Sequence, residues 1–176
     1  MQKIISTALF CIILTQSYGQ KQRFLSSYLQ LQYNKTIYDR TTGNNPWGIG
    51  AGLQLFFNNK SKFKPTIDFT ADTYLEDDKV LRLNEDSIPA DNFGGMVNLF
   101  AGVSYHPTKR TYFSLVGGPS FIGGRTLIGI KPSFGFYFSE TQRWTGKISF
   151  INIFNRDKKT GDDFGSLSLS IGLKLF

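Results

Sequence analysis

The feature that most constrains this chain is a period of two. Successive residues of a β-strand point to opposite faces of a sheet, so alternation of apolar and polar residues marks a strand with two unlike faces. The last segment shows it best. Leu167, Leu169, Ile171, Leu173 and Leu175 alternate with Ser166, Ser168, Ser170, Gly172 and Lys174. Trp47, Ile49, Ala51, Leu53, Leu55 and Phe57 alternate with Gly48, Gly50, Gly52, Gln54 and Asn58. Phe63, Ile67, Phe69, Ala71 and Leu75 alternate with Lys64, Thr66, Asp68, Thr70 and Asp72, and Leu25, Leu29, Leu31 and Tyr33 with Ser26, Gln30, Gln32 and Asn34. Four further segments, around Val97–Tyr105, Phe113–Phe121, Ile128–Phe138 and Trp144–Phe150, repeat the pattern with more noise. The reading is eight strands, most about 10 to 13 residues long, the length a tilted membrane strand needs.

Three places strain the pattern. Pro119 and Pro132 fall inside strand candidates, where a proline cannot donate to the ladder; they are expected to mark bulges or frayed ends. After Phe150 the phase slips, because Ile151 and Ile153 are apolar and Asn152 is not; a bulge there would repair it. Phe176 is in phase with Lys174 and Gly172, one step off Leu175, which leaves the register of the last strand open.

The first twenty residues read as an address. Met1, Gln2 and Lys3 open the chain, Ile4 to Thr15 is an apolar run, and Ser17 and Gly19 stand three and one before a cut preceding Gln20. This is the layout of a cleaved signal peptide over residues 1–19, and the run is too short to span a bilayer as a helix. Cys11 lies within the discarded part. The remaining domain is 20–176, and its net charge is +6, the +7 of the full chain less Lys3.

Side-chain size decides which face is inside. An eight-stranded barrel encloses barely enough room for side chains or one small ligand. One face here is bulky, with Leu, Ile, Phe, Trp and Tyr; the other is small, with Gly48, Gly50, Gly52, Gly102, Gly118, Gly129, Gly135, Gly172 and many Ser. Small residues suit a narrow interior, and bulky apolar ones suit a lipid-facing exterior. The small face carries Lys64, Asp68, Asp72, Lys131, Lys147 and Lys174 as its charges, which need partners once desolvated. Connections at Lys35–Pro46, Glu76–Gly95 and Asn155–Asp163 are longer than those at Asn58–Lys62, His106–Arg110 and Ser139–Gln142, matching long outer loops and short periplasmic turns. Gly123–Thr126 is shorter than that pattern expects. Trp47, Phe57, Phe63, Tyr105, Tyr112, Phe138 and Trp144 lie near strand ends, where aromatic girdles sit.

The expected fold is therefore all-β, an eight-stranded antiparallel up-and-down transmembrane β-barrel. The signal peptide, the amphipathic strands and Phe176 together resemble the small outer-membrane barrels of the OmpA/OmpX type, in particular the porin-like barrels of Bacteroidetes-type bacteria. Gly117-Gly118-Pro119-Ser120-Phe121 is similar to a Gly-Pro stretch in that group. The resemblance implies the outer membrane of a Gram-negative bacterium, contact with its lipid and lipopolysaccharide, and recognition of the final strand by the outer-membrane assembly machinery.

Chemistry is harder to find. One His and one Cys exclude a two-imidazole site and a multi-Cys zinc site. His106, with Ser104 two residues before it, is the one pair that invites a nucleophile-and-base reading, and its place at a short His106-Pro107 turn makes a polar turn residue the better assignment. Asp68 and Asp72 sit about 13 Å apart along one strand, wide for acid–base chemistry and suited to pairing with Lys64, Lys131, Lys147 or Lys174. Glu76–Gly95 holds six acids against Lys79 and Arg82, net −4, without EF-hand spacing; solvated charge is the expectation and calcium the rival. The basic excess gathers at turns without an aromatic platform or basic helix, so nucleic acid is not a partner. No catalytic, cofactor or metal residue is assigned. The leading function is a structural or surface-interaction role through the outer loops. The alternatives are a narrow porin-like channel, a lipid-modifying enzyme and a secreted lipocalin-like lipid binder.

Overall fold

A computed structural model describes residues 24–37, 47–75, 93–155 and 163–176. The proposed signal peptide with Cys11, most of the acidic connection and the far part of the first connection lie outside the described residues. Eight strands follow in order: β1 (Leu25–Thr36), β2 (Trp47–Phe57), β3 (Phe63–Leu75), β4 (Phe93–Tyr105), β5 (Thr111–Ile122), β6 (Arg125–Tyr137), β7 (Trp144–Ile153) and β8 (Phe164–Lys174). Each pairs antiparallel with its neighbour in sequence, and β8 closes on β1. Closure leaves no unpaired sheet edge, the condition for crossing a bilayer with strands.

Alternation sets the two surfaces. The bulky phase points out: Leu31, Leu115 and Leu169 are 63, 62 and 55% exposed. The other phase points in and takes Gln54, Asp68, Lys131 and Lys147 out of solvent. Soluble proteins rarely expose contiguous apolar patches beyond a few hundred Å², whereas here the outer wall is largely apolar. That inverts a lipocalin and suits lipid. Aromatic side chains crowd the outer rims, with Phe63 against Tyr105 at 4.8 Å and Tyr33 stacked on Trp47 at 6.4 Å.

The short turns 58–62, 106–110 and 138–143 share one end of the barrel with Phe24 and Phe176, and the longer connections share the other. The exception at the far end is the tip between β5 and β6. Ile122 pairs with Arg125, leaving a two-residue turn at Gly123 (φ 51°) and Gly124 (φ 72°). Both central residues of such a tight hairpin need positive φ, which glycine adopts without steric cost.

Two of the expected irregularities are absent. Pro119 and Pro132 lie within β5 and β6, not at bulges or frayed ends. Pairing of β4 with β5 runs from Met96–Ile122 to Asn98–Ser120 and resumes at Ala101–Gly117 in the same register. Pairing of β6 with β7 likewise stops at Ile130–Asn152 and resumes at Ser133–Ser149. Each proline thus interrupts one ladder locally and keeps the other, and no extra residue is inserted. Nor does β7 bulge after Phe150, since its register with β8 is continuous from Trp144–Leu173 to Ile153–Phe164. Ile151 and Ile153 simply face inward, because the lumen is apolar at that level. Tyr112, expected in a girdle, also faces inward and is fully buried.

The last strand's register is settled by its partner. Tyr28 pairs with Lys174 through to Thr36 with Ser166, and Ser27 N–H donates to the Phe176 carbonyl at 3.1 Å.

Candidate functional site

Among the described residues, buried polar chemistry is concentrated in the lumen. It has three layers. At the end of the long connections, Met96, Phe100, Val116, Ile122, Ile151, Ile153 and Phe164 form an apolar cluster with Tyr74. At the end of the short turns, Tyr28, Phe56, Tyr112 and Tyr137 form an aromatic one. Between them lies a polar belt.

The small inner residues leave room for rings. Tyr112 pairs across to Gly135, and a Cβ there would collide with its ring. A Cβ on Gly129 would stand 3.0 Å from the Phe100 ring. Glycine on one strand is thus the space for an aromatic side chain of another.

The belt holds two carboxylates in unlike settings. Asp68 receives Lys131 Nζ at 3.1 Å on Oδ1 and Lys147 Nζ at 2.8 Å on Oδ2, with all three side chains almost fully buried. Of the four lysines expected as partners, two close on it. Asp72, four residues on, pairs with none of them. It accepts from Gln32 Nε2, from Asn34 Nδ2 at 2.8 Å, and from Asn98 Nδ2 and Thr70 Oγ1 at 3.2 Å each. The belt is neutral: two lysines against two carboxylates. Lys147 also approaches Gln54 Oε1, which accepts from Gln30 Nε2 at 2.6 Å and Tyr112 Oη at 3.3 Å. Such a network is stable only when its charges are matched; removing one partner of a buried pair costs about 3–5 kcal/mol. The other two lysines of the small face lie lower and are only half-buried. Lys64 donates to Asn58 Oδ1 at 3.0 Å, and Lys174 sits at the end of β8.

Ser104 and His106 do not meet as nucleophile and base. Ser104 Oγ bonds to Thr66 Oγ1 at 2.7 Å inside the lumen. His106 follows β4 and folds over the barrel mouth, stacked on Tyr112 at 5.4 Å and edge-on to Phe56 at 5.2 Å. Its backbone N–H donates to the Lys62 carbonyl at 2.8 Å, and its Nε2 has no partner. Burial, with Lys64 as a second cause, lowers its pKa from 6.5 to about 4. The imidazole is therefore neutral near pH 7 and acts as another ring of the aromatic cluster. Among the described residues no group of three or more His, Cys, Asp or Glu is placed to hold a metal.

Sequence reasoning missed the inner rings. Tyr28, Phe56, Phe100 and Tyr112 all stand in the small phase of their strands, and that phase was the available signal.

No family model and no curated protein matches the sequence. Solved structures do match in fold. Ail, the attachment invasion locus protein of Yersinia pestis, superposes with a TM-score of 0.55 at 11% identity, covering 86% of this chain and 97% of that one. A second structure of Ail, in complex with the heparin analogue sucrose octasulfate, gives 0.53 at 10%. Neisserial surface protein A gives 0.53 at 13%, covering 87% of this chain and 98% of that one. The fold is that of a small outer-membrane β-barrel.

Proposed function

We propose that this chain is an integral outer-membrane barrel of a Gram-negative bacterium, exported by residues 1–19, that acts through its outer connections and not through its lumen. One observation carries the reading: the lumen is filled by side chains at both ends, around a belt that is internally paired. A sealed barrel has a membrane wall and two rims on which to meet partners. The wall meets outer-membrane lipid and lipopolysaccharide, and the rim of the long connections meets the surroundings. Phe176, at the end of the final strand, is the element offered to the assembly machinery. No catalytic role is assigned, because the Ser104 hydroxyl is engaged by Thr66 and the His106 ring by tyrosines.

Neisserial surface protein A is a surface protein by name and Ail an attachment invasion locus protein by name, and both names support a surface role. The heparin analogue bound by Ail is not carried over, because segment 76–92 of this chain holds six acids against Lys79 and Arg82. A polyanion would be repelled there.

The test is a gel shift on the outer-membrane fraction, unheated against boiled, with planar-bilayer recording beside it. A faster unheated band without steady channels is expected. A soluble, unshifted protein would overturn the membrane reading, and reproducible conductance would overturn the sealed lumen.

A further inference from the structure

The rim of the short turns is strongly charged. Lys60 and Lys62 stand on turn 58–62, Lys109 and Arg110 on turn 106–110 and Arg143 on turn 138–143, and all five are exposed. Lys64 and Lys174 belong to the inward phase of β3 and β8 and stand half-buried in the mouth at the same end. Against these seven cations the described residues of the turns set one acidic side chain, Glu140, and Arg110 pairs with it at 3.1 Å. A terminal carboxylate at Phe176 leaves the balance strongly positive. The longest connection, at the other end, has the opposite sign, with six acids against Lys79 and Arg82 in segment 76–92.

The turns hold these charges in place. Gln142 adopts a left-handed backbone (φ 53°), uncommon for a residue with a side chain. Its carbonyl accepts from Tyr28 Oη at 3.1 Å, and its Nε2 donates to the Lys109 carbonyl at 2.8 Å, which ties turn 138–143 to the lumen and to turn 106–110. Asn59 closes turn 58–62, accepting from Ser61 N–H at 3.0 Å and donating to the Phe63 carbonyl at 2.9 Å. A fixed array of cations recruits a polyanion. Lipid head groups ring the wall, whereas Lys64 and Lys174 face the axis, so the partner lies beneath the mouth. Tips 59–62, 107–110 and 139–143 carry no aromatic, Leu, Ile, Val or Met side chain. Protein interfaces are anchored by such residues in desolvated pockets and are depleted in Lys. A hydrated polymer held by many weak ion pairs at once is the better match. We infer that the rim of the short turns docks peptidoglycan, the carboxylate-bearing polymer beneath an outer membrane, its peptide carboxylates meeting Lys60, Lys62, Lys109 and Arg143. This rests on the membrane-spanning reading above.

The test is co-sedimentation. The mature chain is placed in phosphatidylcholine nanodiscs, which leave both rims open, and mixed with purified, protein-free cell-wall sacculi of a Gram-negative bacterium. Discs carrying the protein are expected to pellet with the sacculi, while empty discs stay in solution. Added salt should release them several-fold, because exposed ion pairs are screened. Sacculi whose carboxyls have been converted to amides should pellet several-fold less. Lys60→Gln with Lys62→Gln should weaken pelleting several-fold, and adding Lys109→Gln and Arg143→Gln should abolish it. Lys158→Gln with Lys159→Gln removes the same charge as the first pair, from the connection between β7 and β8 at the other end, and should leave pelleting unchanged. The four rim positions are exposed, so the lumen is untouched, and the unheated gel band confirms that each variant is closed. The docking site is overturned if discs with the protein stay in solution, if pelleting survives amidation, or if the rim variants pellet no less than the Lys158 and Lys159 pair. A wild-type protein whose unheated band does not shift brings down the membrane-spanning reading instead.

Discussion

The two ends of the lumen are closed by different chemistry. Toward the long connections the fill is largely aliphatic, with Ile122, Ile151, Ile153, Met96 and Val116 around Phe100. Toward the short turns the apolar fill is rings alone, with Tyr28, Phe56, Tyr112 and Tyr137 under His106 and the half-buried Lys64 and Lys174 at the same end. The first end holds by burial and shape, and its described cluster includes no histidine, lysine or carboxylate. The second holds by edge and stacked ring contacts and contains the one histidine. Sealing a narrow barrel therefore has two solutions in one molecule, one indifferent to acid and one sensitive to it.

The largest expected effect is at the polar belt between the two ends. Asp68→Asn leaves Lys131 and Lys147 buried without their counter-charge, a loss of about 3–5 kcal/mol in unfolding free energy. Denaturant titration in vesicles reads it, and adding Lys131→Met, which again sets one lysine against the one remaining carboxylate, should restore part of the loss. If the single variant is neutral, the pairing of Asp68 with Lys131 and Lys147 does not hold the belt together.

At the aliphatic end, Ile153→Ala removes a fully buried side chain and should cost about 2–5 kcal/mol, with no dependence on pH between 7 and 4 beyond the wild type's own. The same titration at two pH values tests both halves of that expectation.

At the aromatic end the pH dependence has a definite sign. The folded state holds the His106 pKa at about 4, below the 6.5 of the free side chain. The folded protein then binds fewer protons than the unfolded one between these values, so this contribution is present above pH 6.5 and is lost as pH falls toward 4. A charged imidazole there would face Lys64. His106→Phe keeps a ring in the stack and removes the proton site. Thermal unfolding from pH 7 to pH 4 should drop more steeply for wild type than for this variant, and parallel curves would show the two ends to be equally blind to acid.

The smallest effect is local. Ser104→Ala removes the hydroxyl that meets Thr66 and should cost about 0.5–1.5 kcal/mol, leaving the pH profile unchanged.

Strand positions, strand lengths and the inside–outside assignment were legible because each rests on a local rule. Leu167 to Leu175 alternate whatever the rest of the chain does, and a narrow interior demands small residues wherever it occurs. The candidate interior was legible only in part. Asp68, Lys131 and Lys147 were visible as charges of one phase. Which lysine meets which carboxylate was not, because the partners lie 63 and 79 residues away in sequence. Asp72 illustrates the limit, since its neighbours in space are amides from β1 and β4 and not lysines. Pro119, Pro132 and Ile151 misled for the same reason. A proline's cost depends on which neighbouring ladder its nitrogen faces, and an apolar residue in the polar phase is an error only if the lumen at that level is polar.

The linear chain thus carried the barrel, its two faces and its long and short ends, because backbone geometry imposes a period of two on every strand. Closure decided what fills the lumen. Register set Gly135 beside Tyr112, and the meeting of β3, β6 and β7 set Asp68 between two lysines. Packing and charge pairing act across the barrel, between residues that share no local pattern.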